Sequence, residues 1–146
     1  MGKIAHVLAA KGSQVHTIRP TDTVFDAVKK MVENNSGSLI VTEGDAIHGI
    51  ITERDYLRNI VLAGRTSKTT QVREIMTSQI VVVKPDTPVE EAMAIMTDRR
   101  IRHLPVVDQG KLGGIVSIGD LVKQISQDRK FEVQYLTDYI TGRYPG

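Results

Sequence analysis

The run Gly114-Ile115-Val116-Ser117-Ile118-Gly119-Asp120 changes its period in the middle. Its first half closes a buried strand, Leu112 to Val116, and a hydroxyl residue then opens a helix expected from Ile118 to about Asp128. Ser117 stands at the N-cap and Asp120 three residues on. A hydroxyl, backbone N–H groups and a carboxylate therefore meet at the helix start, with Gly119 between them. That combination suits a phosphorylated sugar. The same order of residue types stands 65 positions upstream, as Gly49-Ile50-Ile51-Thr52-Glu53-Arg54-Asp55.

The repeat extends outward from both runs. Aligned without a gap, residues 17–60 and 82–125 share ten of 44 positions, among them Pro20/Pro85, Ala27/Ala92, Met31/Met96, Leu39/Leu104, Gly49/Gly114 and Asp55/Asp120. These fall on core and turn positions, which marks a duplicated β-α-β-β-α unit. In the first copy Val15 to Ile18 is extended, and Pro20-Thr21-Asp22-Thr23 is a turn with two candidate N-caps. Val24, Ala27, Val28 and Met31 line one helical face, ending near Asn34-Asn35. Ser38 to Thr42 and Ile47 to Ile51 form a hairpin over Glu43-Gly44-Asp45, and Thr52 caps a helix to about Ala63, closed by Gly64. In the second copy Ile80 to Val83, the face Val89/Ala92/Met93/Met96 and the hairpin from His103 to Val116 answer these in order. Ile4, Val7 and Leu8 predict a short opening helix with Gly12 as its C-cap. Val72, Ile75 and Met76 repeat their spacing after a polar linker, Ser67 to Thr70.

The expected domains are 1–67 and 68–127 for the repeats and 128–146 for a tail. The tail's Phe131, Val133, Leu136, Tyr139 and Ile140 suggest a helix docking on the module or on a second subunit. One repeat of about 60 residues buries too little surface to be comfortable alone. Two copies packed sheet to sheet about a pseudo-twofold axis, with two clefts between them, form the expected α/β architecture.

Composition narrows the function. The chain of 146 residues is 40% hydrophobic, 25% charged and only 4% aromatic, so the core must be aliphatic. It has no cysteine, which excludes disulfides, thiolate nucleophiles and cysteine-bearing zinc sites. His6, His16, His48 and His103 lack metal-binding spacing. A net charge of +2 gives no global pull on polyanions. The N-terminal residues make neither a secretory nor a myristoylation signal, since His6 stands where the latter wants Ser or Thr. No segment approaches the ~18 apolar residues of a membrane span. A cytoplasmic address is the expectation.

The doubled Gly-apolar-apolar-Thr/Ser-x-x-Asp, the strand Arg102-His103-Leu104-Pro105-Val106 and the run Thr52-Glu53-Arg54-Asp55 resemble a tandem cystathionine-β-synthase (CBS) domain pair. The resemblance covers nearly the whole chain. It implies an adenosine-ligand sensor: such pairs bind AMP, ADP, ATP, NAD(H) or S-adenosylmethionine in their clefts, often as homodimers. With no fused enzyme or channel in the sequence, the chain looks like the stand-alone kind, signalling to a separate regulated protein. AMP is the first-choice ligand.

A carboxylate at helix position N3 can accept a hydrogen bond from each hydroxyl of a ribose cis-diol, the role assigned to Asp55 and Asp120. The bland alternative is a plain capping box. Thr52 and Ser117 would offer hydroxyls to the ribose-phosphate. Arg54, Arg100 and Arg102 are candidate phosphate partners, although a helix end explains cations as well, Arg99 above all. Adenine would lie against Val82, His103, Leu104 and Pro105 in the second copy and Thr17, Ser38, Leu39 and Ile40 in the first. Ile40 replaces the proline of Leu104-Pro105, so the two sites need not be equal. No Ser/His/Asp order or paired acid recommends catalysis. The basic run from Arg99 to His103 lacks the interleaved aromatics of a nucleic-acid surface. A scaffold with empty clefts is the remaining alternative.

Overall fold

The computed structural model describes residues 2–128; Met1 and residues 129–146, with the expected tail helix, lie outside the described residues. The chain divides into two compact units, Val15–Val81 and the combination of residues up to Gln14 with those from Val82 onward.

In the unit Val15–Val81, β1 (Thr17–Ile18) leads to α2 (Val24–Glu33), the hairpin β2 (Ser38–Glu43) and β3 (Ala46–Thr52), then α3 (Glu53–Tyr56) and α4 (Val72–Ile75). Thr23 caps α2 by accepting the Asp26 N–H at 3.1 Å. The sheet has the order β1-β2-β3, with β1 parallel and β3 antiparallel to β2. Val24, Ala27 and Met31 of α2 pack with Leu39, Val41, Ile51, Ile60, Val72 and Ile75 in a single buried cluster. This is the aliphatic core that the helical face and the strands required.

The other unit contains α1 (Ile4–Lys11), α5 (Val89–Arg99), the hairpin β4 (His103–Asp108) and β5 (Lys111–Ser117), and α6 (Ile118–Asp128). Its hairpin repeats the first in detail. Val106 pairs with Gly114 and Val107 with Leu112, a slip at the same place as the slip between Val41 and Thr42. The extra residue of each bulge, His48 or Gly113, comes just before the glycine of the motif.

Three local features differ from the sequence expectation. The helix after Thr52 is α-helical only to Tyr56 and continues as a π-helical run, Leu57–Val61, in which the Leu62 N–H bonds the Leu57 carbonyl at 3.0 Å. The expected strand Ile80 to Val83 is reduced to one parallel bridge, Val83 with Val106. The linker Ser67 to Thr70 is not loose, because the Ser67 and Thr70 carbonyls accept the first N–H groups of α2, Phe25 at 3.0 Å and Val24 at 2.9 Å, and Thr70 is only 2% exposed. The compact units also group residues across the sequence repeats. The Ile4 and Ala5 N–H groups bond the Thr87 and Pro85 carbonyls at 2.9 and 2.8 Å, which ties the start of α1 to the turn before α5, while residues 68–81 lie in the unit that holds the first repeat.

The motif glycines are sites of close approach. A Cβ on Gly49 would lie 2.4 Å from the Thr77 backbone oxygen, whereas on Gly114 it would meet the end of the Leu8 side chain at 2.8 Å. Thr77 and Ile50 exchange backbone hydrogen bonds of 2.8 and 3.0 Å, so that oxygen cannot retreat without losing a pair. We expect Gly49→Ala to cost about 1–3 kcal/mol of stability by overpacking, read by urea denaturation, and Gly114→Ala to cost less because Leu8 can rotate.

Candidate functional site

Each motif builds the same reciprocal cap. At α3 the Asp55 N–H donates to Thr52 Oγ1 at 3.2 Å, and the Thr52 N–H and hydroxyl donate to Asp55 Oδ2 at 2.9 and 3.1 Å. At α6 the Asp120 N–H donates to Ser117 Oγ at 3.2 Å and the Ser117 N–H to Asp120 Oδ2 at 2.8 Å. The capping-box interpretation is therefore correct as far as it goes. The first amide of each helix is engaged too, Glu53 by the Gly37 carbonyl at 3.1 Å and Ile118 by the Arg102 carbonyl at 2.9 Å. Gly37 and Arg102 are again repeat-equivalent positions.

The two carboxylates differ in their third partner. Asp55 Oδ1 accepts from the neutral Thr77 hydroxyl at 3.2 Å. Asp120 Oδ2 instead receives the Lys11 ammonium at 2.6 Å, and Lys11 Nζ also donates to the Ile115 carbonyl at 2.9 Å. Burial pushes the Asp120 carboxyl's pKa up, but the Lys11 and Ser117 hydrogen bonds and the Lys11 charge together outweigh it, so the net shift is downward. Among the described residues no donor reaches Asp120 Oδ1. A pocket of about 60 Å³ lies beside this pair, lined by Val7, Ala10, Lys11, Asp120, Lys123, Gln124 and Gln127.

The remaining predicted residues fall into three groups. Leu39, Ile40 and Leu104 are wholly buried, and Ser38 and Pro105 are buried as well. Leu39 is part of the core cluster. Thr17 and His103 are half-buried. Val82 is 42% exposed and lines a groove of about 550 Å³ with Lys84, Pro85, Asp86 and the β4–β5 turn. Arg54, Arg100 and Arg102 are exposed, and Arg100 takes the left-handed conformation (φ 55°) that ends α5. Sequence reasoning missed Lys11. Its only sequence signal was a cation at the end of an amphipathic helix, and nothing local tied that helix to a motif more than 100 residues away.

The CBS-domain family model matches residues 11–62 and 72–127, and the chain belongs to that family. A mitochondrial CBS domain-containing protein of Arabidopsis thaliana, CBSX3, is 49% identical over 84% of this chain, which spans 62% of the relative's length. The Bacillus subtilis CBS domain-containing protein YhcV is 37% identical over 80% of this chain and 83% of its own. Among solved structures, a candidate signal-transduction protein with CBS domains from Burkholderia ambifaria superposes with a TM-score of 0.85 at 48% identity, covering 88% of this chain and 96% of that one. A hexameric CBS-CP12 protein from bloom-forming cyanobacteria gives 0.74 at 36% identity, covering 84% and 70%. CBS-domain proteins are regulatory modules that typically bind adenosine ligands. Among the described residues no helix is long and apolar enough to cross a membrane.

The lowered Asp120 pKa has a pH consequence. The ionised carboxylate's contribution to stability is fully present above its ordinary value of 3.8 and is lost as pH falls through the lowered folded value. Thermal unfolding of wild type and Asp120→Asn should therefore differ most near pH 7, and the gap should close as the solution is acidified below 3.8.

Proposed function

We propose that the protein is an adenosine-ligand sensor in which Asp55 and Asp120 receive the 2′- and 3′-hydroxyls of the ribose, and that it signals to a separate regulated protein by a change of shape or dimer geometry. The observation that carries this reading is the exact repetition of a carboxylate at N3 of a helix that follows Gly-apolar-apolar-hydroxyl, in both units of a CBS-family chain. Two carboxylate acceptors fixed by their own backbone suit a cis-diol, because their orientation is set before the ligand arrives. Thr52 and Ser117 support the ribose-phosphate, and Arg54, Arg100 and Arg102 supply exposed guanidinium groups for phosphate. Leu39, Ile40, Leu104 and Pro105 contribute backbone edges rather than apolar side-chain area, since their side chains are already buried. AMP is the first candidate, with ADP, ATP, NAD(H) and S-adenosylmethionine sharing the same ribose.

A signal passes only if the ligand prefers one state of the protein over another. Purified protein should gain several degrees in melting temperature with one or a few adenosine compounds at about 100 times the dissociation constant, equivalent to about 2.7 kcal/mol, and none with GTP. Asp120→Ala should weaken that ligand ten-fold or more, from about 1.5–3 kcal/mol per charged hydrogen bond lost. A shift equal for GTP and AMP would remove the adenosine assignment.

Assembly as a homodimer is part of the same proposal. Val32, Leu57, Val61 and Leu62 are 75, 54, 52 and 82% exposed. Val32 and Leu57 also line a groove of about 450 Å³ with Val28, Met31 and Tyr56. Apolar surface of this kind on helices marks a docking face. Leu57→Asp with Leu62→Asp should convert the oligomer to monomer in light scattering coupled to size exclusion, with the fold retained by circular dichroism. An unchanged mass would place the interface elsewhere.

A further inference from the structure

We infer that Lys11 is a displaceable latch on the second-repeat site: its ammonium occupies Asp120 until a ligand diol takes its place, which makes that site weaker than its residues alone would give and couples its occupancy to α1. The inference rests on Asp120 being the diol acceptor, and it adds an affinity-setting residue from outside the repeat.

A carboxylate oxygen offers two lone pairs. Asp120 Oδ2 spends one on the Ser117 N–H at 2.8 Å and the other on Lys11 Nζ at 2.6 Å, so it is full. Oδ1 keeps acceptor sites of its own, but a diol that engages both oxygens, one hydroxyl on each, must displace a donor from Oδ2. The Ser117 N–H is fixed by the cap, whereas Lys11 sits at the end of a flexible stem with 31% of its side chain exposed. Lys11 is the donor that leaves.

Asp55 has no such competitor. Its partners are the Thr52 N–H and hydroxyl and the Thr77 hydroxyl, all neutral. A hydroxyl can rotate away at small cost, but an ammonium must give up a charge-assisted bond. The repeats thus carry the same motif with unequal resistance to a ligand.

Displacement also has a mechanical side. Lys11 Nζ ties the end of α1 to the Ile115 carbonyl as well as to Asp120. Only Gly12, Ser13 and Gln14 separate it from Val15, where the other unit starts. Releasing Lys11 therefore frees the end of α1, three residues before the chain enters the other unit.

The test is calorimetric titration of the full chain with AMP and with ATP, in an Asp55→Asn background so that only the Asp120 site is read. Lys11→Met should bind the nucleotide about ten-fold more tightly than the Lys11 parent, the equivalent of about 1.4 kcal/mol. Lys11→Arg should stay near the parent, and adding Asp120→Asn should abolish the gain. Lys11→Gln, more soluble than Met, should give the same increase if Lys11→Met folds poorly. Weaker or unchanged binding by both neutral variants overturns the latch, because Lys11 would then be a ligand contact or a bystander. No binding of either nucleotide to the parent or to the neutral variants, nor to the chain with Asp55 intact, removes the sensor reading itself and the latch with it.

Discussion

Two buried strands in this protein must each turn into a helix without stranding the helix's first amides, and the solution is the exchange of hydrogen bonds between a hydroxyl residue and the aspartate three positions on. Thr52 with Asp55 and Ser117 with Asp120 each satisfy one amide at the cap and one inside the helix. The carbonyls of Gly37 and Arg102 take the next one. Once these bonds form, the direction in which β3 or β5 hands over to its helix is set, and so is the position of the carboxylate. Stability and ligand chemistry therefore use the same side chain, and a capping box and a ribose acceptor are two uses of one geometry.

The repeats share that constraint but surround it differently. The segment after α4 runs beside the first hairpin, where Thr77 pairs with Ile50 and its hydroxyl reaches Asp55. α1 runs beside the second, where Leu8 covers Gly114 and Lys11 reaches Asp120. Both glycines remain glycine because each is overlaid, one by backbone and the other by a side-chain end. A neutral and a cationic partner on equivalent aspartates are a simple way for a duplicated fold to become asymmetric.

Much of this was legible in the sequence. The offset of 65 located both hairpins, both caps and the core faces, because buried positions and helix starts tolerate few residue types. Thr23, Thr52 and Ser117 cap as their positions predict. What escaped the sequence depends on distant groups. The π-helical turn after Tyr56 changes hydrogen-bond spacing by one residue without disturbing an apolar pattern already rich in Leu57, Ile60 and Val61. The polar run Ser67 to Thr70 looks like a linker, yet its carbonyls serve the start of α2. α1 precedes one repeat in sequence and packs with the other, so its contribution to the site was invisible. Leu39 and Leu104 matched an adenine wall by type, but the core had already claimed their side chains.

The central claim is that the paired aspartates recognise a ribose cis-diol, and the most direct measurement is calorimetric comparison of AMP with 2′-deoxy-AMP on the same preparation of the full chain. The two ligands differ by one hydroxyl and keep base and phosphate constant. Loss of one charge-assisted hydrogen bond predicts binding weaker by ten-fold or more for the deoxy compound, about 1.5–3 kcal/mol. Equal affinity would show that Asp55 and Asp120 do no more than cap their helices, and would contradict the account.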